Sequence, residues 1–276
     1  MSSQDGSVPI EVNRIYNVDC LAGIIGVPDS FIDLTVTSPP YDNLRLYNGK
    51  SNLDFWGISK ELYRTTKQGG VVVWIVNDAT IDGTETCTSF RQVLYFRELG
   101  FKLHDTMIWK KVSCYQHKVR YIPSFEYMFI FSKGKPKTVN LICDRKNKHA
   151  GDKISGTERQ PDGSLRKQDG AKVGRVIKEY GARLNIWDTI PNFYTKTNHP
   201  ATFPVSLARD HILTWSAAGE IVLDPFMGSG STAIACIEAG RKYIGFEIDD
   251  SYYSASVERI HDFSLCNGYY PKPNYP

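Results

Sequence analysis

The sequence predicts an α/β protein built on an open, doubly wound and mostly parallel sheet. Three observations carry that prediction. Short apolar runs rich in β-branched and aromatic residues recur along the chain, as strands covered on both faces require. Amphipathic stretches of helical period lie between them. Near the C-terminus, one such run passes through a glycine-rich turn directly into a helix, at Ile221 to Ser231.

Taken in order, the strands are expected at 32–37, 71–76, 107–109, 127–131, 221–223 and 243–246. The intervening helices run from Ile58 to Thr66, closed by Gly69-Gly70; from Cys87 to Glu98, closed by Gly100; from Pro204 to Trp215, closed by Gly219; and from Ser231 to Glu238, closed by Gly240. A further helix opens near Ser251 with Asp249 as its N-cap. Between about 134 and 185 the alternation stops, and Gly, Lys, Arg and Asp dominate. That stretch is a long insertion in what is otherwise a single domain over 1–276. The end of the chain, Cys266 to Pro276, is rich in Tyr and Pro and is expected to be irregular.

With 276 residues, 41% of them hydrophobic and 23% charged, the chain can bury a proper core, which excludes wholesale disorder. No run approaches the roughly 20 apolar residues of a membrane helix. The first residues lack the basic and apolar regions of a secretory signal, so a cytoplasmic protein is expected. The six cysteines show neither CxxC nor Cys/His ligand spacing. They are expected to be reduced thiols packed as small apolar residues, with no disulfide framework and no metal. The net charge of +3 is unevenly spread: Asp144 to Arg183 alone carries +5 and the remainder −2.

Two segments carry chemistry. In Leu34-Thr-Val-Thr-Ser-Pro-Pro-Tyr a strand runs straight into Ser38-Pro39-Pro40-Tyr41. Consecutive prolines fix φ and remove two N–H donors, so the Ser38 and Pro39 carbonyls lack local partners. With the Ser38 hydroxyl they form rigid acceptors at a strand's C-terminal end, where open α/β sheets bind ligands, and they suit a substrate presenting an amino group. Tyr41 beside them can stack on a planar ring. A Pro-Pro pair alone would favour a plain rigid turn beside a core tyrosine.

In the second segment, Asp224-Pro-Phe-Met-Gly-Ser-Gly-Ser-Thr, Gly228 and Gly230 permit close backbone approach and the following helix presents free N–H groups. Glu247, at the end of the next strand, is placed to hold ribose hydroxyls. Gly228-x-Gly230-x-x-Ala233 alone also fits a nicotinamide dinucleotide fingerprint and hence an oxidoreductase. Asp224 sits where a pyrophosphate would approach, however, and an acid there suits a cationic ligand better. No lysine follows the glycines, as a phosphate-cradling P-loop needs.

Together, Thr37-Ser-Pro-Pro-Tyr and Asp224-Pro-Phe-Met-Gly-Ser-Gly-Ser-Thr resemble the β class of DNA amino-methyltransferases. Asn17-Val-Asp-Cys-Leu, Trp109-Lys-Lys, Ser124-Phe-Glu-Tyr-Met-Phe-Ile-Phe-Ser-Lys and Asn198-His-Pro-Ala-Thr-Phe-Pro extend the resemblance over about 13–133 and 185–262. The family has a Rossmann-like methyltransferase fold in which the catalytic motif precedes the cofactor motif, a circularly permuted order, with target recognition between them.

The resemblance implies S-adenosylmethionine as cofactor. Its contacts would be Asp19 and Cys20; His199, Ala201, Thr202 and Phe203; Asp224, Pro225, Phe226, Gly228, Ser229, Gly230 and Thr232; and Glu247 for the ribose. Ser38, Pro39, Pro40 and Tyr41 would be catalytic. The target base would be flipped from double-stranded DNA onto Tyr41, its amine donating to Ser38 and the Pro39 carbonyl, with no metal and no covalent intermediate. A carbon-5 cytosine enzyme needs a nucleophilic cysteine, usually in Pro-Cys, and the chain has no such dipeptide.

Ser in the first motif position tilts the target towards cytosine N4, with adenine N6 by the same mechanism as the alternative. The insertion's Arg145, Lys146, Lys148, Arg159, Arg166 and Lys167 would neutralise DNA phosphates. The family further implies a bacterial, archaeal or viral host, a monomer or homodimer, and a restriction endonuclease as a companion in some systems. A non-catalytic DNA-binding protein on this fold is the reading from another class, although the Pro-Pro turn, both loop glycines, Asp224 and Glu247 are all retained.

Overall fold

The computed structural model describes residues 10–40, 53–111, 118–154, 156–167, 172–188 and 203–266. The chain divides into two compact units, one formed by 1–140 with 185–276 and the other by 141–184.

The larger unit contains, in chain order, β1 (Arg14–Asn17), α1 (Cys20–Ile25), β2 (Ile32–Thr37), α2 (Phe55–Thr65), β3 (Thr66–Val76), the small hairpin β4 (Thr80–Ile81) and β5 (Thr84–Glu85), α3 (Thr88–Glu98), β6 (Lys102–Lys110) and β7 (Phe125–Ser132). The second unit follows with β8 (Arg145–Lys146), β9 (Thr157–Arg159), β10 (Leu165–Lys167) and β11 (Tyr180–Gly181). The chain then returns through β12 (Ile186–Trp187), α4 (Val205–Trp215), β13 (Ile221–Asp224), α5 (Ser231–Ala239), β14 (Lys242–Glu247) and α6 (Asp250–Cys266).

Eight strands form one sheet in the order β1-β14-β13-β2-β3-β7-β6-β12. All pairings are parallel except those that β7 makes with β3 and β6. This is the doubly wound sheet read from the sequence. One face carries Leu34, Val36, Val73 and Ile130 and is covered by Leu207, Ala208, Ala233, Ile234 and Ile260 of α4, α5 and α6. The opposite face carries Val72, Trp74, Phe131 and Phe246 and is covered by Ile24, Ile58, Leu62, Val93 and Phe96 of α1, α2 and α3. Burial on both faces explains the continuous apolar runs of β2 and β3, which have no exposed side to alternate with. By contrast β6, beside the short edge strand β12, alternates exposed and shielded positions.

Gly69-Gly70, expected to close α2, lies instead inside β3. The helix starts three residues earlier than its periodicity suggested, with Asp54 accepting from Gly57 N at 2.9 Å, and ends at Thr65. Ile32 pairs with Thr66 but Leu34 with Val71, so β3 bulges over residues 67–70. Gly69 has φ +81° there, and a Cβ on Gly70 would lie 2.7 Å from Thr66 Cγ2 and 3.0 Å from the Asp33 carbonyl. The bulge sends Lys67 Nζ to Asp33 Oδ2 at 2.7 Å, and the same oxygen accepts Ile221 N at 3.0 Å. The pair of glycines therefore marks a strand irregularity rather than a helix end.

The cysteines also divide. Cys20 and Cys236 are buried thiols as expected, but Cys87, Cys143 and Cys266 are exposed, and Cys266 ends α6 rather than opening a tail. Among the described residues, no helix is long and apolar enough to cross a membrane.

In the second unit the legs 142–154 and 174–183 run antiparallel. Arg183 N donates to the Ile142 carbonyl, Asn147 N to Glu179 and Ile154 N to Arg175, with β8 paired to β11 between them. Beyond the legs, β9 and β10 form a hairpin closed by Gln160 N on the Ser164 carbonyl and by Ser164 Oγ on Asp162 Oδ1 at 2.7 Å. No described residue of this unit is buried, so main-chain bonds rather than a core hold it.

One core position is not optimised. Thr35, fully buried between Leu223 and Val72 in register, has no hydrogen-bond partner for Oγ1 among the described residues. An unpaired buried hydroxyl costs on the order of 1 kcal/mol or more. Thr35→Val is therefore expected to raise the urea midpoint, by about 1 kcal/mol in stability. A lowered midpoint would show that the hydroxyl is satisfied.

Candidate active site

Four neighbouring parallel strands, β1, β14, β13 and β2, bring four groups to one edge of the sheet. This edge lies at the strands' C-terminal ends, where the chain leaves each strand and the free N–H groups of following helices gather.

At the tip of β1, Asp19 caps α1, its Oδ1 accepting from Leu21 N at 3.0 Å and Ala22 N at 3.2 Å. Cys20 beside it is buried. Desolvation first, and then the Asp19 carboxylate, push its thiol up to about 12, so it stays protonated and inert at neutral pH.

Asn17 of β1 is paired with Glu247 of β14, which places the second acid on the adjacent tip. Glu247 Oε2 accepts Gly228 N at 2.8 Å and Oε1 accepts Asp249 N at 2.9 Å. Burial raises its pKa, while these backbone N–H groups pull the other way. One carboxylate thus spans the glycine loop and the start of α6.

On β13, Asp224 is 1% exposed. Its Oδ1 accepts the Thr37 hydroxyl at 2.7 Å and Phe226 N at 3.0 Å, and its Oδ2 accepts the Thr232 hydroxyl at 2.6 Å. Desolvation pushes its carboxyl up to about 6 against these donors. The expectation that this acid faces a cationic ligand is thereby corrected: its oxygens are taken up by the protein's own donors. It joins the end of β2, the glycine loop and the first turn of α5.

The loop after Asp224 is fixed residue by residue. Pro225 is buried, and Phe226 meets Trp74 edge to face at 6.5 Å. Met227 N donates to the Phe246 carbonyl at 2.9 Å, and Gly228 and Gly230 have φ of +50° and +80°. Above Gly230, a Cβ would stand 3.2 Å from Ile260 Cδ1, so α6 packs directly on the loop. Ser229 and Thr232 are buried within the same turn, and α5 has no side-chain cap at its N-terminus. Phe203 packs partly buried beside α4.

Next to this loop, β2 ends in Ser38, Pro39 and Pro40, with Pro39 buried and its neighbours half-buried. The remaining sequence-derived site residues Tyr41, His199, Ala201 and Thr202 lie outside the described residues. The two middle motifs meet: Lys111 Nζ lies 2.6 Å from Glu126 Oε1 and 4.8 Å from the Trp109 ring centroid. Arg145, Lys146, Lys148, Arg159, Arg166 and Lys167 are all exposed in the second unit.

Sequence reasoning missed two residues of the site's framework. Thr37 carried no visible role, because only the fold brings it to an acid 187 positions away. Arg259, on α6, sends Nη1 to the Ser229 carbonyl at 2.8 Å and to Ser229 Oγ at 3.1 Å. An arginine on an exposed-looking helix gives no such signal.

A parallel sheet with a glycine loop, an acid on the following strand tip and a proline-fixed turn on the neighbouring tip defines a Rossmann-like enzyme that joins a nucleoside cofactor to a second substrate. The chain belongs to the DNA methylase family, whose profile matches residues 32–258, and it is a site-specific DNA amino-methyltransferase. It is 54% identical to the orphan methyltransferase M.BamHII of Bacillus amyloliquefaciens over 253 residues, 87% of this chain and 93% of that protein. It is 26% identical to the Type II methyltransferase M.SmaI of Serratia marcescens, over 90% of each.

Among solved structures, a DNA modification methylase of Thermus thermophilus, complexed with S-adenosyl-L-methionine, matches with a TM-score of 0.60 at 26% identity, covering 91% of this chain and 95% of that one. The cytosine-N4-specific PvuII DNA methyltransferase shares the fold with a TM-score of 0.62 at 21% identity, over 92% of each chain.

The burial of Asp224 makes a stability prediction. An unfolded aspartate titrates near 3.9 and this one near 6, so the native state holds the proton more tightly between those values. The stability contributed by the protonated form is complete below about pH 4 and is lost as pH rises through about 6, on the order of 2–3 kcal/mol. Asp224→Asn, which never ionises, should lack this loss, whereas Asp224→Ala strands two buried hydroxyls and should cost about 2 kcal/mol or more. Urea midpoints from pH 4 to 8 test both, and parallel curves for wild type and Asp224→Asn would refute the titration.

Proposed function

We propose that the protein transfers the methyl group of S-adenosylmethionine to the exocyclic amine of a base flipped out of double-stranded DNA, with cytosine N4 the favoured target. The observation that carries this reading is the Thr37–Asp224 bond, which locks the Ser38-Pro39-Pro40 turn beside the glycine loop. The order of strand tips supports it. Neighbouring strands are about 4.8 Å apart, so Asp19, Glu247 and the loop lie in sequence along an edge suited to an extended nucleoside with an amino-acid tail, and the proline turn comes next.

The glycine-loop residues fit this cofactor. The first-turn N–H groups of α5 are uncapped by side chains, Glu247 offers carboxylate oxygens for ribose hydroxyls, and Asp19 sits at the outer tip beyond it. The bound cofactor supplies an electrophilic methyl on a sulfonium. Ser38 Oγ and the Pro39 carbonyl would accept the target amine's hydrogens, holding its lone pair out of conjugation and in line with that methyl. The methylated amine would carry one proton in excess, which the Ser38 hydroxyl and the Pro39 carbonyl would hold by hydrogen bonding until it passes to solvent. Tyr41 would supply the stacking face for the flipped base. Cytosine is favoured because Ser38 occupies the motif's first position, where the family resemblance associates serine with N4 methylation.

The second unit fits DNA. It carries +5 and no buried residue among those described, so its charged side chains stay available to a polyanionic partner. In β9–β10, directly opposed residues share a face, which puts Arg159 and Lys167 on one side and the Glu158–Arg166 pair on the other. A two-stranded ribbon of this width enters a major groove.

Incubation with S-adenosylmethionine and unmethylated DNA, followed by nucleoside mass spectrometry, should yield N4-methylcytosine. N6-methyladenine would overturn the base assignment alone, and no methylated base despite cofactor binding would overturn the catalytic reading. Pro39→Ala and Tyr41→Ala should each lower turnover at least 100-fold, on the order expected when positioning is lost, with cofactor affinity intact. Wild-type rates in Tyr41→Ala would sink the stacking role. Replacing both Arg159 and Lys167 by Ala should reduce the slope of log affinity against log salt by about 2, and an unchanged slope would remove the hairpin from the phosphate contacts.

A further inference from the structure

Arg64, Lys133 and Arg241 of the larger unit cover helix C-termini, whereas the exposed Arg91 donates to the Thr86 carbonyl at the start of α3. Arg64 donates to the Ile24 and Val27 carbonyls at the end of α1, Lys133 to Tyr63 and Thr66 at the end of α2, and Arg241 to the Ser216 carbonyl after α4. There the helix dipole is negative and a cation is favoured. Arg259 is placed against that rule. It lies at the N-terminal end of α5, is half-buried, and has no carboxylate within 4 Å among the described residues. Desolvation, unopposed by any acid, lowers its pKa.

What Arg259 does touch is the glycine loop. Its Nη1 reaches the Ser229 carbonyl at 2.8 Å, Ser229 Oγ at 3.1 Å and Ser231 Oγ at 3.4 Å. Its helical neighbours Ser256 and Ile260 pack on Gly230. The loop is thus tethered from three sides: Met227 N on the Phe246 carbonyl, Gly228 N on Glu247, and the Ser229 carbonyl on Arg259. The first two tethers hold N–H groups, and only Arg259 among the described residues holds the Ser229 carbonyl. The N–H of the same Ser229–Gly230 peptide donates to the Met227 carbonyl at 3.0 Å, so these two bonds together fix its orientation between two positive-φ glycines. Without Arg259 the Ser229 carbonyl would lose its charged donor, and only the Gly230 N–H bond would orient the peptide.

We infer that Arg259 is a positioning residue for cofactor binding, fixing the Ser229 carbonyl towards α6 so that the loop is already formed when the cofactor arrives. This rests on the glycine loop being the S-adenosylmethionine cradle. The guanidinium's misplaced charge is then explained, because a neutral donor could not hold a backbone carbonyl as strongly.

The test uses the full chain, wild type against Arg259→Met and Arg259→Lys. Calorimetric titration with S-adenosylmethionine should show about tenfold weaker binding for Arg259→Met, the loss of one charge-assisted hydrogen bond, with partial recovery in Arg259→Lys. KM for the cofactor should rise while kcat holds. In the cofactor-free protein, hydrogen exchange of the peptide spanning 225–232 should accelerate in Arg259→Met without comparable change in the sheet. Unaltered affinity and unaltered loop exchange in Arg259→Met would overturn the inference. So would a fall in kcat and melting temperature with KM unchanged, the pattern of a purely structural residue. If Arg259→Met does not fold, wild-type affinity and exchange in Arg259→Lys overturn it equally. Wild-type protein that binds no S-adenosylmethionine overturns the cradle reading itself, a result distinct from normal wild-type binding that the variants leave untouched.

Discussion

The buried carboxylate of Asp224 is the interaction on which the site's geometry depends. It stands at the point where the strand order places β13, which leads into the glycine loop, next to β2, which leads into the proline turn, and its three donors come from β2, from the loop and from α5. Any shift of the proline turn relative to the glycine loop must break a hydrogen bond in a medium where water cannot replace it. A methyl transfer is sensitive to the distance and angle between donor and acceptor atoms, so rigidity between the two half-sites is worth the desolvation of one acid. Threonine suits both partners because its hydroxyl donates while its methyl packs into the core.

A second constraint is the opposite treatment of the two ends of the sheet. At the strands' N-terminal ends, Arg64, Lys133 and Arg241 cover exposed helix carbonyls and stabilise the frame. At the C-terminal ends, α5 keeps its N-terminus free of side-chain caps, and the acids Asp19 and Glu247 stand beside the loop. The stable end is saturated, whereas the working end keeps donors and acceptors available and is steadied by a few long-range bonds. Arg259 belongs to those bonds.

Much of this was legible in the chain. The strands β2, β3 and β7 announce themselves because burial on both faces forces uninterrupted apolar runs, and the glycine loop is legible because positive φ and close packing admit few other residues. β1 and α1 were visible only as a motif: four half-polar residues and a six-residue helix are too short for any period to show. Gly69-Gly70 misled because glycine marks bulges and helix ends alike, and the register of the neighbouring strand decides between them. For Asp224 the residue was legible but not its direction, since a sequence shows an acid next to a loop without the two hydroxyls that face it. The second unit was recognised by its charge, and its hairpin was hidden because exposed strands lack the apolar alternation by which strands are read.

The lack of any buried residue among those described in 141–184 bears on how such an enzyme can vary. In the larger unit, the tips of β2 and β13 are tied through the buried Thr37, Asp224 and Thr232, so a change at one tip is felt at the other. The second unit leaves the chain after β7 and rejoins it at β12, whereas the glycine loop and Glu247 follow β13 and end β14. Its internal order comes from main-chain bonds that tolerate almost any side chain. Substitutions at Arg159, Arg166 or Lys167 therefore cost little folding energy, because these residues are exposed and pack against no core. A protein organised in this way can vary the exposed residues of its second unit without loss of stability in the larger unit, since the two draw on separate sources of order.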